Sequence, residues 1–213
     1  MSPEQYHTLI KQLQEQEFPG TINDYEHVSP YGGPYVFFAP SHHFRPSIPL
    51  ITEEIVVDLR DNKKRLLSVG CGPAHLERLL VTKLGVDAEQ ITLADISDKY
   101  VPDGFVFYQF DMHQDWPHLG TFDYVLFPES PLINNHFSAK TDFSFGTFRQ
   151  PARENGLYTL LVRSLKCLNT PGQSRLTCAV PDFVKDVVKP HIEAEFPNVT
   201  MQYSDGLTYI IKK

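Results

Sequence analysis

The stretch Arg65-Leu-Leu-Ser-Val-Gly-Cys-Gly-Pro-Ala-His-Leu-Glu77 constrains the architecture more than any other part of the chain. Leu66, Leu67 and Val69 form a short apolar run, the pattern of a strand buried on both faces in a parallel sheet. Gly70 and Gly72 let the backbone turn sharply and let a ligand approach with no Cβ in the way. Pro73 suits the first position of a helix, where its missing N–H is no loss. The free N–H groups at such a helix start favour a polar or anionic group. A strand, a glycine turn and a helix in immediate succession make either a ligand loop or a plain crossover turn.

The segments that follow keep the alternation of a doubly wound α/β domain. Leu76, Leu79, Leu80 and Leu84 mark one helical face, closed by Gly85. A second strand, 90–95, ends on Asp95, and a third, 105–111, ends on Asp111. The link from Ser97 to Gly104 between them is too short for a full crossover helix. A fourth strand, 122–127, runs into Pro128-Glu-Ser-Pro131. Leu157, Leu160, Leu161, Leu165 and Leu168 predict a long amphipathic helix stopped by Thr170-Pro-Gly172, and 176–180 reads as a fifth strand. Phe183, Val184, Val187 and Val188 begin another helix, with Pro190 kinking it. The final pair, 199–203 and 207–211, is joined by Ser-Asp-Gly and must be an antiparallel hairpin, because a parallel return needs far more chain.

Ahead of this unit, residues 1–64 predict an extension made of a helix, an aromatic loop and a second helix, packed on the core or closing over a substrate; residues 65–213 form the main domain. Ser2-Pro-Glu-Gln5 has the form of a capping box, and Tyr6, Leu9, Ile10, Leu13 and Phe18 continue one face until Pro19-Gly20. The segment 25–44 holds Tyr25, Tyr31, Tyr35, Phe37, Phe38 and Phe44 among glycines and prolines, so it is a structured loop or a broken strand. It either lines a ligand pocket or seals the end of a core; in the first case Tyr31 and Tyr35 bind substrate, each pairing a flat apolar face with a hydroxyl. Ile51, Ile55, Val56 and Leu59 predict the second helix, running to Arg60. His42-His43 has no spaced carboxylate partner and reads as no metal site.

Composition excludes several classes. A net charge of −7 over 213 residues, with scattered Lys and Arg, argues against a nucleic-acid partner. Cys71, Cys167 and Cys178 lie in or beside apolar elements with no CxxC pair, the pattern of reduced thiols in a cytoplasmic protein. The first residues do not read as a signal peptide, and no run approaches the ~18 apolar residues of a membrane span.

In an open parallel sheet, ligands bind at the carboxyl ends of the strands, which gathers Gly70–Gly72, Asp95 and Asp111 at one edge. An aspartate there can accept two hydrogen bonds from a vicinal diol, and Asp111 can accept from an exocyclic amine. A nicotinamide dinucleotide fits less well, because His75 occupies the place of the third glycine in that fingerprint.

With these motifs the chain resembles the class I S-adenosylmethionine-dependent methyltransferases over about residues 50–213. Leu66-Leu-Ser-Val-Gly-Cys-Gly-Pro-Ala74 is similar to the family's first motif, a strand running into a GCGxG-like loop around the methionine part of the cofactor. The resemblance implies a three-layer Rossmann-like methyltransferase fold, with a mostly parallel seven-stranded sheet ending in an antiparallel hairpin. It implies S-adenosyl-L-methionine as cofactor, held by Ser68, Gly70, Cys71 and Gly72, by Asp95 on the ribose with Ile96 on the adenine, and by Asp111 with Met112 beside it. Two positions depart from the family pattern. Ser68 stands where an acid usually helps to fix the methionine end, and Ala74 replaces the last glycine of the loop. Ser68 can hydrogen-bond, but it lacks the charge that suits an ammonium group.

For such an enzyme the protein must align a nucleophile and remove its proton. Glu129, after the fourth strand, and His113, after the third, are the candidate bases. Pro128-Glu-Ser-Pro131 is not the motif with which amino-directed DNA methyltransferases hold a planar nitrogen, so the implied substrate is a small molecule or a peptide. The alternative is a non-catalytic relative that senses the cofactor or acts as an interaction scaffold.

Overall fold

The computed structural model describes residues 8, 26–28, 34–36, 50–72, 74–96, 98, 101–112, 114–128, 156–177, 184–204 and 207–213. Strands β1 (Glu26–Val28) and β2 (Pro34–Val36) pair antiparallel, with His27 opposite Tyr35. The main sheet contains β3 (Leu66–Val69), β4 (Ile91–Asp95), β5 (Val106–Gln109), β6 (Phe122–Phe127), β7 (Leu168–Thr177), β8 (Val199–Ser204) and β9 (Leu207–Lys212). Its order is β5-β4-β3-β6-β7-β9-β8. The pairs from β5 to β7 are parallel, and β9 runs antiparallel to both β7 and β8. This is the mostly parallel seven-stranded sheet with a terminal hairpin that the sequence predicts.

Alternation along the strands divides the interior into two layers. Leu67, Val69, Val125 and Phe127 pack with Leu157 and Leu161 of helix α3 (Gly156–Cys167), with Ile192 of α4 (Lys189–Glu195) and with Val188 just before α4. On the opposite side Leu66, Leu126, Ile91 and Leu93 pack with Ile55 and Leu59 of α1 (Glu53–Arg60) and with Leu76 and Leu80 of α2 (His75–Thr82).

Helix α1 forms where the apolar spacing places it. Thr52 caps it weakly, accepting from the Ile55 N–H at 3.5 Å, and Glu53, Glu54 and Arg60 suit the two ends of its dipole. Its buried Asp58 accepts hydrogen bonds from the Tyr124 hydroxyl, from Lys64 Nζ at 2.7 Å and from Asn62 Nδ2 at 2.8 Å. Burial opposes the charge on Asp58, yet these bonds outweigh it and hold the carboxyl below its ordinary value. The cluster ties α1 to the amino-terminal end of the sheet, opposite the glycine turn.

Three local expectations are corrected. Helix α2 begins at His75, later than Pro73, and Ala74 precedes it in the left-handed region (φ 54, ψ 41). Thr170-Pro-Gly172 is no stop between a helix and a later strand, because β7 already begins at Leu168. Pairing with β6 starts at Phe122↔Leu168, breaks, and resumes at Tyr124↔Gln173, so the expected turn is a bulge inside the strand. Gly172 is required there: a Cβ would stand 2.8 Å from the Asn169 carbonyl oxygen and 3.2 Å from that of Asp123. Lys212 Nζ, on the neighbouring strand, donates to the Leu165 and Leu168 carbonyls at 3.2 and 2.8 Å and so caps the end of α3. Third, the helix expected from this segment opens as a π-helical run, Val184–Val188, that continues into α4 with Val188 still helical (φ −73, ψ −48), so Pro190 falls where π geometry gives way to α. Residues 178–180, expected to complete the fifth strand, lie outside the described residues, as do 1–7 and 9–18 of the first helix.

Candidate functional site

The parallel strands β3, β4, β5 and β6 end on the same edge of the sheet, and the glycine turn leaves β3 there. Gly70 and Gly72 both take positive φ, 69° and 52°. The Gly70 N–H donates to the Ala94 carbonyl at 2.8 Å, which folds the turn back toward β4. The Gly72 N–H donates to Asp95 Oδ2 at 2.9 Å. Asp95, the last residue of β4, is therefore fixed against the turn, and a carboxylate has lone pairs for further donors. Ala74 keeps the left-handed backbone that glycine would take freely, at a cost of about 1 kcal/mol for a residue with a Cβ.

The segment after β5 closes on the same point. The Phe110 N–H donates to the Asp95 carbonyl at 2.9 Å, which brings Asp111 and Met112 next to the end of β4. Met112 lies against Gly70: its Cε is 2.9 Å from where a Cβ on that glycine would be. Trp116 Nε1 and Arg163 Nη1 donate to the Met112 carbonyl at 2.9 and 3.2 Å and hold this segment in place. Trp116 also bridges the rings of Phe110 and Phe127, at centroid distances of 5.6 and 6.3 Å. Replacing Gly70 with Ala combines a strained φ with a displaced Met112, and we expect it to lower stability by about 1–2 kcal/mol. Urea unfolding of G70A checks this; an unchanged midpoint would mean that the turn relaxes without penalty.

Of the residues singled out from sequence, Gly70, Gly72, Asp95 and Met112 meet directly, and Asp111 stands beside them. Ile96 is exposed, and its carbonyl accepts from Gln109 Nε2 at 3.0 Å. Cys71 is buried in the apolar layer shared with α1 and α2, and its thiol donates to the Gly72 carbonyl within the turn at 3.7 Å. Tyr35 is described in its backbone alone, in the β1–β2 hairpin. Tyr31, His113 and Glu129 lie outside the described residues.

Ser68 has a partner that sequence reasoning missed. Its hydroxyl donates to Oε1 of Glu77, in the first turn of α2, and both side chains are fully buried. Oε2 of Glu77 has no hydrogen-bond partner among the described residues. Burial pushes this carboxyl up from 4.5 to about 7; the Ser68 bond pulls it down in part, and the charge of Asp95 adds to the rise. The signal was present in the spacing. Glu77, Leu80 and Leu84 are at i, i+3 and i+7, which puts an acid on the apolar face of the helix.

No protein-family model matches this sequence, and no curated protein matches it. Among solved structures, the chain is similar to CalS10, an amino pentose methyltransferase from Micromonospora echinaspora, with TM-score 0.50 and 12% identity over 80% of this chain and 92% of that one. TrmN from Thermus thermophilus gives TM-score 0.47 and 14% identity over 85% of this chain and 55% of its own. The plantazolicin methyltransferase BpumL gives 0.47 and 14% over 73% and 79%. At 12% identity the likeness to CalS10 is one of fold. Among the described residues no helix is long and apolar enough to cross a membrane, and no group of His, Cys, Asp and Glu could hold a metal ion.

Proposed function

We propose that this chain is an S-adenosylmethionine-dependent methyltransferase acting on a small-molecule or peptidic substrate. The observation that carries the reading is the junction of the glycine turn with the ends of β4 and β5: Gly72 bonded to Asp95, and Met112 packed on Gly70. The fold shared with CalS10, itself described as an amino pentose methyltransferase, supports it at the level of architecture.

The residues present fit such a cofactor. The turn keeps a glycine backbone even at Ala74, and at Gly72 it carries no Cβ, so a ligand can approach its main chain closely. Asp95 would accept from the ribose hydroxyls, Asp111 from the adenine amino group, and Ile96 and Met112 would supply apolar surface to the base. When bound, the cofactor supplies a methyl group activated on a sulfonium, so the chain has only to orient the acceptor and take its proton. We assign proton removal to Glu129 or His113, which follow the ends of β6 and β5 in sequence. We assign the wall of the acceptor pocket to Tyr31 and Tyr35.

Asp95→Ala should weaken S-adenosylhomocysteine binding by about 1.5–3 kcal/mol, the range for a hydrogen bond to a charged group. Calorimetry on wild type and D95A checks this, with circular dichroism to confirm that the anchor on Gly72 can be lost without unfolding. Equal affinities would remove Asp95 from the site. A wild-type protein that binds nothing at millimolar ligand would defeat the whole reading.

A further inference from the structure

We propose that Glu77 is the acid that receives the ammonium group at the amino-acid end of the ligand, supplied from helix α2 in place of the acid absent at Ser68. This rests on the cofactor reading above and names the group that fixes one end of that ligand.

Ser68 lies in β3, two residues before Gly70, and a hydroxyl there has no charge to offer a cation. It donates instead to Glu77 Oε1, which locks a full carboxylate beside the strand that feeds the turn. Oε2 has no hydrogen-bond partner among the described residues, at 0% exposure of the residue. A buried unpaired carboxylate oxygen is costly in an interior that serves packing alone. A charged N–H donor entering at the turn would satisfy it. Among the described residues, the groups acting on this carboxylate are Ser68 of β3, Asp95 of β4 and its own backbone N–H, and none of them is a cation. The pair of acids flanking the turn, Asp95 and Glu77, therefore matches a ligand with a diol at one end and a positive charge at the other.

The test compares S-adenosylhomocysteine with 5′-methylthioadenosine, which keeps the nucleoside and lacks the amino-acid end. In wild type and E77Q, affinities for both are measured by calorimetry, with thermal melts to confirm folding. E77Q should bind S-adenosylhomocysteine at least about tenfold more weakly and methylthioadenosine within about twofold of wild type. Equal losses for both ligands would make Glu77 a support of the turn only and overturn the proposal, as would unchanged affinities. Wild type binding methylthioadenosine as tightly as S-adenosylhomocysteine would also overturn it and leave the cofactor reading standing. Wild type binding neither would remove both. If E77Q does not fold, wild type alone decides. Its preference for S-adenosylhomocysteine should grow up to about tenfold between about pH 6 and about pH 8, as the carboxyl loses its proton near 7. A preference independent of pH would overturn the proposal.

Discussion

Raising the pH of the ligand-free protein from about 4.5 to about 8 is expected to remove on the order of 3 kcal/mol of stability through Glu77 alone. Burial holds its carboxyl near 7 in the folded chain, against 4.5 ordinarily, and neither the Ser68 hydroxyl nor its own N–H offsets this fully. Between those values the folded state keeps a proton that the unfolded chain has released. Stability from this group is complete below the unfolded value, is lost as pH rises through the folded value, and is flat beyond. Asp58 acts with the opposite sign and lower down: its bonds stabilise above the ordinary 3.8 and fail as the pH falls. The windows do not overlap, so the two groups can be separated. Denaturant unfolding of wild type and E77Q across this range isolates Glu77, since glutamine does not titrate. A difference between the two proteins that stays constant with pH would place the carboxylate in contact with water.

Phe122→Ala should lower stability by about 3–5 kcal/mol, the range for emptying an aromatic site in a packed core. Phe122 is fully buried at the start of β6, and the Arg65 guanidinium lies 4.7 Å from its ring centre. Its partner Leu168 is the single paired residue of β7 before the bulge, so the cavity would open where that strand is least held. Urea unfolding measures the loss. A value under about 1 kcal/mol would mean that Arg65 and Leu168 collapse into the space.

Most of the sheet was legible because its strands are short apolar runs punctuated by glycine and acids. Leu66–Val69, Ile91–Asp95 and Phe122–Phe127 carry that signal on both faces, and the hairpin follows from the shortness of its turn. What failed was Thr170-Pro-Gly172, where local chemistry says turn. The bulge meets that chemistry inside a strand, through a close backbone approach that only tertiary structure reveals. At the site, Gly70, Gly72 and Asp95 were readable because each obeys a backbone rule. Glu77 was hidden because first-turn acids are ordinary features of helices. Its significance depends on Ser68, nine positions away, turning toward it.

The placement of β9 constrains how the sheet is assembled. Strand β8 precedes it in the chain, yet among the described strands β8 pairs with β9 alone, which stands between it and β7. β8 therefore reaches the sheet only through residues 207–212, whether it follows them onto β7 or arrives with them as a preformed hairpin. The parallel strands that form the glycine turn do not wait for this step, since each pairs with strands made earlier. The edge that carries the glycine turn can thus form without the hairpin, although its own β3–β6 pairing, Leu66 with Tyr124, closes a longer stretch of chain than the β7–β9 pairing of Gly172 with Lys212.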